Sequence, residues 1–493
     1  MYLINRKLFN DQKMQITKLI FLFLIQILII SPLLSQEKFD YVPETDPLVL
    51  EKLQLWQDLK FGLLMHWGPY SQWGIVESWS ICSEDEGWCV RRIDDYEKYK
   101  KEYEKLKTTF NPTKFDPSKW SKAAKEAGMR YVVFTTKHHD GFCMFDTKLT
   151  DYKITDKECP FHTNSRANIT KEIFNAFRKE GFWIGAYFSK PDWHSPYYWW
   201  PNFATPDRNV NYDIKKYPDR WKKFVEYTHG QIDELMSDYG KIDILWLDGG
   251  WVAPMTDEQI REAVNRSNYK YQRYQSQDIN MPEIAKKARE KQPGLIIVDR
   301  AVHGKYQNYL TPENTVPEKM LPYPWESCII SGGGWSWVPN AQYRSARSVI
   351  HMLVDIVSKG GNLLLNVAPS PEGTWDDQAY DLLDKIGKWM KVNDEAIYGT
   401  RPIAPYKEGK TCFTSGKDGS VYLIYLTAEN EIPSQICVQS IQPQENARVK
   451  ILGKNIDLEW EKNGNGFIIK IPESVQKNPP SDYAWSFKIS AVR

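Results

Sequence analysis

The 493 residues exceed a usual single domain, so one large domain with a smaller companion is the expectation. Lys+Arg 64 against Asp+Glu 63 leaves a formal net charge of +1, which offers no footprint for nucleic acid or an anionic membrane surface. With 20 Trp and 28 Tyr, the chain has aromatic rings enough both for core packing and for stacking on the flat apolar faces of sugar rings.

At the amino terminus, Lys13 and Lys18 precede an apolar run from Leu19 to Ile30, followed by Ser31-Pro32-Leu33-Leu34-Ser35-Gln36. A basic start, an apolar stretch and small residues read as a secretory signal peptide over residues 1–36. The run is shorter than the roughly 20 residues a bilayer span needs. Export to the periplasm or the medium is expected, with no membrane attachment after cleavage. The seven cysteines form no CxxC pair, although Cys82 and Cys89 are close enough in sequence to bridge.

From about Phe61 to about Asn366, short apolar runs alternate with helical patterns. Strands are predicted at 61–66, 131–136, 182–187, 242–247, 295–298 and 362–367. Helices are predicted at 120–127, 173–179, 221–239, 284–291 and 345–359, with Gly128, Gly181 and Gly360-Gly361 as stops. Continuous apolar strands alternating with helices mean a parallel sheet covered on both faces. The number of repeats favours a (β/α)8-like barrel over an open doubly wound sheet. No glycine-rich phosphate loop follows the first strand. After Thr400 the texture changes to short alternating runs such as 421–426 and 466–471, separated by Asn, Gly and Pro turns. The expected organisation is a catalytic barrel over 37–400 and an antiparallel β-sandwich over 401–493.

In a closed parallel barrel, catalytic side chains sit where strands stop. The strand ends here give His66-Trp67-Gly68, Lys137-His138-His139-Asp140-Gly141, Tyr187-Phe188-Ser189, Trp246-Leu247-Asp248-Gly249-Gly250 and Asp299-Arg300. Asp248, closing a buried strand and followed by two glycines, is placed at a pocket floor that a ligand can approach. Adjacent strand residues point to opposite faces, so His138 and His139 are not expected to turn inward together. Without HExxH or a third ligand at typical spacing, no metal site is expected.

The ordered segments Lys60-Phe61-Gly62-Leu63-Leu64-Met65-His66-Trp67-Gly68, Lys137-His138-His139-Asp140-Gly141-Phe142, Trp246-Leu247-Asp248-Gly249 and 357–367, ending Gly360-Gly361-Asn362-Leu363-Leu364-Leu365-Asn366-Val367, resemble the α-L-fucosidases of glycoside hydrolase family 29. The resemblance runs from about Leu50 to Pro402. It implies a retaining exo-glycosidase acting on terminal α-L-fucosyl residues of oligosaccharides or polysaccharides, with no metal or organic cofactor. Asp248 matches the family nucleophile and Trp246 the pocket tryptophan beside it. His66, His138, His139 and Tyr187 match residues that bind the sugar, Arg300 an arginine near the nucleophile, Trp79 a sugar-binding tryptophan, and Trp337 the aromatic against the C5 methyl. The acid/base varies in the family. Glu313 is preferred, Glu326 is second, and a loop residue such as Glu84 or Glu86 is third. Segments 77–89 and 332–337 depart from the family pattern. An α-L-galactosidase, on sulfated galactan or otherwise, is therefore an alternative, since an apolar pocket rejects one added hydroxyl only ~100-fold. A catalytically silent sugar-binding protein is another. The oligomeric state is not legible.

Overall fold

Seven strands of the computed structural model, which describes residues 41–82, 89, 91–205, 207–266, 274–454 and 456–492, form one parallel sheet. They are β1 (Phe61–Met65), β2 (Tyr131–Lys137), β3 (Trp183–Ser189), β4 (Ile244–Asp248), β5 (Ile296–Asp299), β6 (Glu326–Ile330) and β7 (Asn362–Asn366), in the order β5-β4-β3-β2-β1-β7-β6. Every residue of β1, β2, β5 and β7 is buried, as a sheet covered on both faces requires. The expected signal segment, Glu84 and Glu86 lie outside the described residues. Among the described residues no helix is long and apolar enough to cross a membrane.

The helices are α1 (Pro47–Leu59), α2 (Tyr96–Glu104), α3 (Pro117–Glu126), α4 (Ile169–Lys179), α5 (Pro218–Asp238), α6 (Asp257–Arg266), α7 (Met281–Lys291), α8 (Ala346–Ser358) and α9 (Asp377–Asn393). Several begin on side-chain caps. Asp116 accepts from the Ser118 N–H before Pro117, Asn168 from Lys171 N–H, and Ser345 from Ser348 N–H.

The eighth barrel position is not a regular strand. The edges β5 and β6 are joined through an irregular stretch from Gln307 to Glu313, with single bridges Val298 to Gln307, Leu310 to Trp325 and Glu313 to Cys328. Asn308 N–H donates to Ile297 O (2.9 Å), and Glu326 N–H donates to Leu310 O (2.8 Å). This stave therefore carries Glu313 up beside the end of β6.

Beyond Thr400 a six-stranded antiparallel sheet faces a three-stranded one. Phe413, Leu423 and Phe487 of the larger sheet share a core with Val438, Phe467 and Ile469 of the smaller, which makes the pair a sandwich. It rests on α8 and α9. Arg347 Nη1 donates to Thr427 O (2.5 Å), His351 Nε2 meets Tyr483 O (2.8 Å), and Trp389 Nε1 donates to Ala484 O (2.9 Å).

Candidate active site

A cavity of about 420 Å3 opens at the carboxyl ends of the strands, lined by His66, Glu77, Trp79, His138, Tyr187, Trp246, Asp248, Arg300, Glu313 and Trp335 among others. A second cavity of about 500 Å3 lies around Gly128, Arg130 and Tyr398, where strands begin, away from these groups.

Asp248 ends β4 with its side chain 14% exposed. It accepts from the Tyr187 hydroxyl (2.6 Å), the Gly249 N–H (2.8 Å) and Arg300 Nη1 (3.0 Å). Burial alone would raise its pKa. The Arg300 guanidinium, His139, the Tyr187 hydroxyl and the Gly249 N–H overcome that and hold the carboxyl well below the usual range, as a nucleophile requires. The other fork of the same guanidinium, Arg300 Nη2, donates to Glu313 Oε2, and Trp335 Nε1 donates to Glu313 Oε1 (3.1 Å). One rigid guanidinium thus holds both carboxyl groups at the mouth of the pocket.

Each histidine is turned by an outward bond at Nδ1. His66 meets Asn366 Oδ1 (3.1 Å), His138 meets Ser78 Oγ (2.5 Å) and His139 meets Ser189 Oγ (2.8 Å). Asn366 Nδ2 donates to Trp335 O (2.8 Å), which leaves Oδ1 to accept from His66 Nδ1–H and His66 Nε2 as a bare acceptor toward the pocket. Burial holds His66 and His139 neutral, with pKa values pushed down to about 4, and burial beside the other two histidines holds His138 well below the usual imidazole range. His138 and His139 both turn inward, contrary to the alternation expected of a strand, because β2 stops at Lys137 and the alternation stops with it. Their rings lie 4.1 Å apart. His138 lines the cavity, whereas His139 stands behind Asp248, its Nε2 3.9 Å from Oδ2, against Trp79 and Trp251.

Among the described residues, ligand atoms of His138, His139 and Asp248 lie within 4.8 Å of one another, a separation a metal could bridge. The fit is poor. The Arg300 cation already neutralises Asp248 at 3.0 Å, where a metal would have to sit against a like charge.

The Alpha-L-fucosidase family profile matches residues 28–395, and the Alpha-L-fucosidase C-terminal domain profile matches 407–490. The chain belongs to the α-L-fucosidase family. The tissue α-L-fucosidase of Bos taurus is 28% identical over 478 residues, 92% of each chain. The solved α-L-fucosidase isoenzyme 1 of Paenibacillus thiaminolyticus is 28% identical with a TM-score of 0.70, covering 90% of this chain and all of that one. A family 29 α-L-fucosidase of Bacteroides thetaiotaomicron, solved as a trapped covalent intermediate in complex with 2-fluoro-fucosyl fluoride, shares the fold at 23% identity and TM-score 0.69, covering 92% of this chain and 99% of that one. Nothing in these matches supports the α-L-galactosidase or the silent binding protein.

Within this family site, two sequence expectations are corrected. Glu326 opens β6 instead of ending a strand. It is fully buried, takes the Tyr131 hydroxyl at 2.6 Å and Trp246 Nε1 at 3.4 Å, and lies beneath the pocket. Trp337 points away, its Nε1 donating to Asp376 Oδ1 (2.9 Å), and the neighbouring Trp335 takes the pocket position, 5.3 Å from the His66 ring. The loop between the two is anchored by Ser336, whose N–H donates to Glu77 Oε1 (2.7 Å). Glu77, Trp251 and Trp335 were not foreseen. Only Glu77 had a signal to follow, since it stands two residues before Trp79 in the same segment.

Proposed function

We propose that this family member releases terminal α-L-fucosyl residues from glycans by double displacement, with Asp248 as nucleophile and Glu313 as acid/base. The observation that carries this assignment is Arg300 gripping both carboxyl groups at once. Retaining enzymes need the pair ~5–5.5 Å apart, whereas inverting enzymes leave roughly 6.5–9.5 Å for a water. Two carboxyls held by a single guanidinium suit the closer spacing.

In the first step Asp248 Oδ forms a bond to the anomeric carbon as the glycosidic bond breaks, and Glu313 gives its proton to the departing oxygen. In the second, water loses a proton to Glu313 as its oxygen attacks the anomeric carbon, and the Asp248 ester bond breaks. Neutral His66 and His138 face the sugar hydroxyls as hydrogen-bonding partners, while Trp246, Trp335, Leu64 and Cys328 supply the apolar side that a 6-deoxy sugar needs. Trp79 and Tyr187 complete the wall, and Arg300 holds the nucleophile ionised.

The test uses nitrophenyl α-L-fucoside. Wild type should release α-L-fucose as the first-formed anomer, read by NMR. Asp248→Ala and Glu313→Ala should each lower kcat by at least ~10²-fold. A first product of the opposite anomeric form, or full activity in Asp248→Ala, overturns the assignment.

The amino-terminal segment, residues 1–36, supports export to the periplasm or medium with no membrane attachment after cleavage, while the family supports a glycan substrate and the net charge of +1 offers no footprint for nucleic acid. Amino-terminal sequencing of the protein recovered from those compartments checks this.

A further inference from the structure

Lys190 and Asp299 form an ion pair sealed inside the barrel wall. Lys190 directly follows β3 and is fully buried, Asp299 ends β5 with 3% of its surface exposed, and Lys190 Nζ stands 2.5 Å from Asp299 Oδ1. Neither lines the catalytic cavity, which leaves them to act through other residues. Ile296 and Val298 of β5 join the barrel interior beside Trp246, so Asp299 turns to the outer, helix-covered face. β4 lies between β3 and β5, and with neighbouring strands about 4.8 Å apart the two joined strands are roughly 10 Å apart. A long lysine reaching a short aspartate is therefore a strap laid across the back of β4, the strand that ends in Asp248.

The strap crosses where the catalytic groups are set. In register, Ser189 stands beside Asp248, and Leu247 beside Asp299. Each end of the strap also holds β4 by its backbone, since the Lys190 N–H donates to Asp248 O (2.9 Å) and the Arg300 N–H to Leu247 O (3.1 Å). Beyond these bonds the chain threads a slot with no room for side chains. A Cβ on Gly249 would stand 2.3 Å from Pro191 Cδ, and one on Gly250 would stand 2.9 Å from Ala301 Cβ. Arg300, one residue past the strap, sends its fork inward to Asp248 and Glu313. Ala301 after it holds φ 58, a left-handed backbone that persists only where its surroundings enforce it. Arg300 is thus fixed from both sides, by the strap before it and the slot after it.

We infer that Lys190 and Asp299 are positioning residues for the reaction, a role that rests on the double-displacement reading above. By fixing the spacing between the ends of β3 and β5 across β4, the pair aims the Arg300 fork at both carboxyl groups. Stability alone does not call for charges here. Taking two charges out of water offsets most of their attraction, and apolar side chains of like volume often leave a fold as stable or more so. What an ion pair adds over two apolar side chains is a fixed length. A fork that serves two carboxyl groups at once has little tolerance for a change in that length, since a shift of about 1 Å in such groups can cost ~10²-fold in rate.

The decisive variant combines Lys190→Met with Asp299→Leu, which keeps the volume and removes both charges, and it is assayed on nitrophenyl α-L-fucoside. Its thermal midpoint should stay near that of wild type. Its kcat should fall about tenfold or more while KM stays within about twofold, because the sugar-facing His66, His138 and Trp335 are untouched. Asp299→Asn, of the same shape and still able to accept from Lys190, should lie between wild type and the double variant in kcat, and it carries the test if the double variant fails to fold. Wild-type kcat in a folded variant, or a rise in KM as large as the fall in kcat, overturns the positioning role. The crystal structure of the folded variant reads the same point without substrate. There the Arg300 fork should no longer span Asp248 and Glu313, and a fork in its wild-type place overturns the role. A wild type that does not hydrolyse the aryl fucoside overturns the fucosidase reading instead, and the strap then stands or falls by the crystal structure.

Discussion

Glu77 sits in the pocket with 2% of its surface exposed and two other carboxyl groups nearby. Burial, reinforced by the charges of Glu313 and Asp248, pushes its pKa up to about 8 against the pull of the Ser336 N–H. Below that pH it carries a proton and can donate to a sugar hydroxyl. Above it, a third negative charge enters the site. Its folded pKa lies above its unfolded one, so its contribution to stability is fully present below about 4.5 and declines as pH rises to about 8. The expected kcat/KM profile therefore bends down above about pH 8, and Glu77→Gln, neutral at every pH, should carry activity to higher pH while staying within about tenfold of wild type at pH 7. Parallel pH profiles of the two proteins check this. An alkaline limb at the same midpoint in both would show that another group titrates. The histidines bound the other side, since His66 and His139, near 4, stay neutral over the whole working range.

Among the elements, the stave between β5 and β6 decides where Glu313 stands, and Asn314 fixes its end. Asn314 holds φ 50, its N–H donates to Cys328 O (2.9 Å), and its Oδ1 accepts from Ile330 N–H (3.1 Å). Asn tolerates the left-handed region better than other non-glycine residues. Asn314→Ala should cost about 1–2 kcal/mol in denaturant midpoint and lower kcat more than it raises KM, because Glu313 loses its anchor. Asn314→Gly, which relieves the backbone but not the lost bond, should recover part of the stability. Equal stability of the Ala and Gly variants would count against the account. This stave also marks the limit of sequence reading. β1, β2, β4 and β7 are continuous apolar runs because both faces are buried, and they were legible. β6 begins Glu326-Ser327-Cys328, with no apolar run to announce it, and the stave pairs one bridge at a time, which imposes no period. Helices α3 and α4 were predicted to start late because their first turns are polar and set by the caps Asp116 and Asn168. Within the site, Asp248, His66 and Tyr187 were legible because strand ends fix their position. Trp335 and Glu77 reach the pocket from long loops, and no spacing in the chain says which loops will meet.

At the scale of the whole molecule, the barrel and the sandwich meet over a buried lysine. Asp58, near the end of α1, takes Arg401 Nη1 at 2.5 Å and Lys417 Nζ at 2.6 Å, which ties the first helix to the first strands of the sandwich. Beside them Lys60 is fully buried, and its Nζ has no hydrogen-bond partner among the described residues. Burial and the Arg401 charge, only partly offset by Asp58, push its pKa down from 10.5 to about 7. The sign follows from which state binds the proton first. As pH falls below 10.5 the unfolded chain takes up the proton while the folded chain resists until about 7, so stability is lost across that window and the loss is constant below it. At about 1.4 kcal/mol per pH unit, the penalty reaches a few kcal/mol at neutral pH. Lys60→Met keeps the length of the side chain and removes the ionisable group, and it asks the same φ of 59 from the backbone. The variant should be more stable than wild type at pH 7 by that order, seen as a higher guanidinium midpoint. The gap should narrow as pH is raised toward 10, where the wild-type lysine is neutral in the folded chain and increasingly so in the unfolded one. Other titrating groups are common to both proteins and cancel in the difference. A variant less stable than wild type at pH 7, or a gap that does not change with pH, would mean that the Lys60 amine has a partner at this junction that offsets its burial.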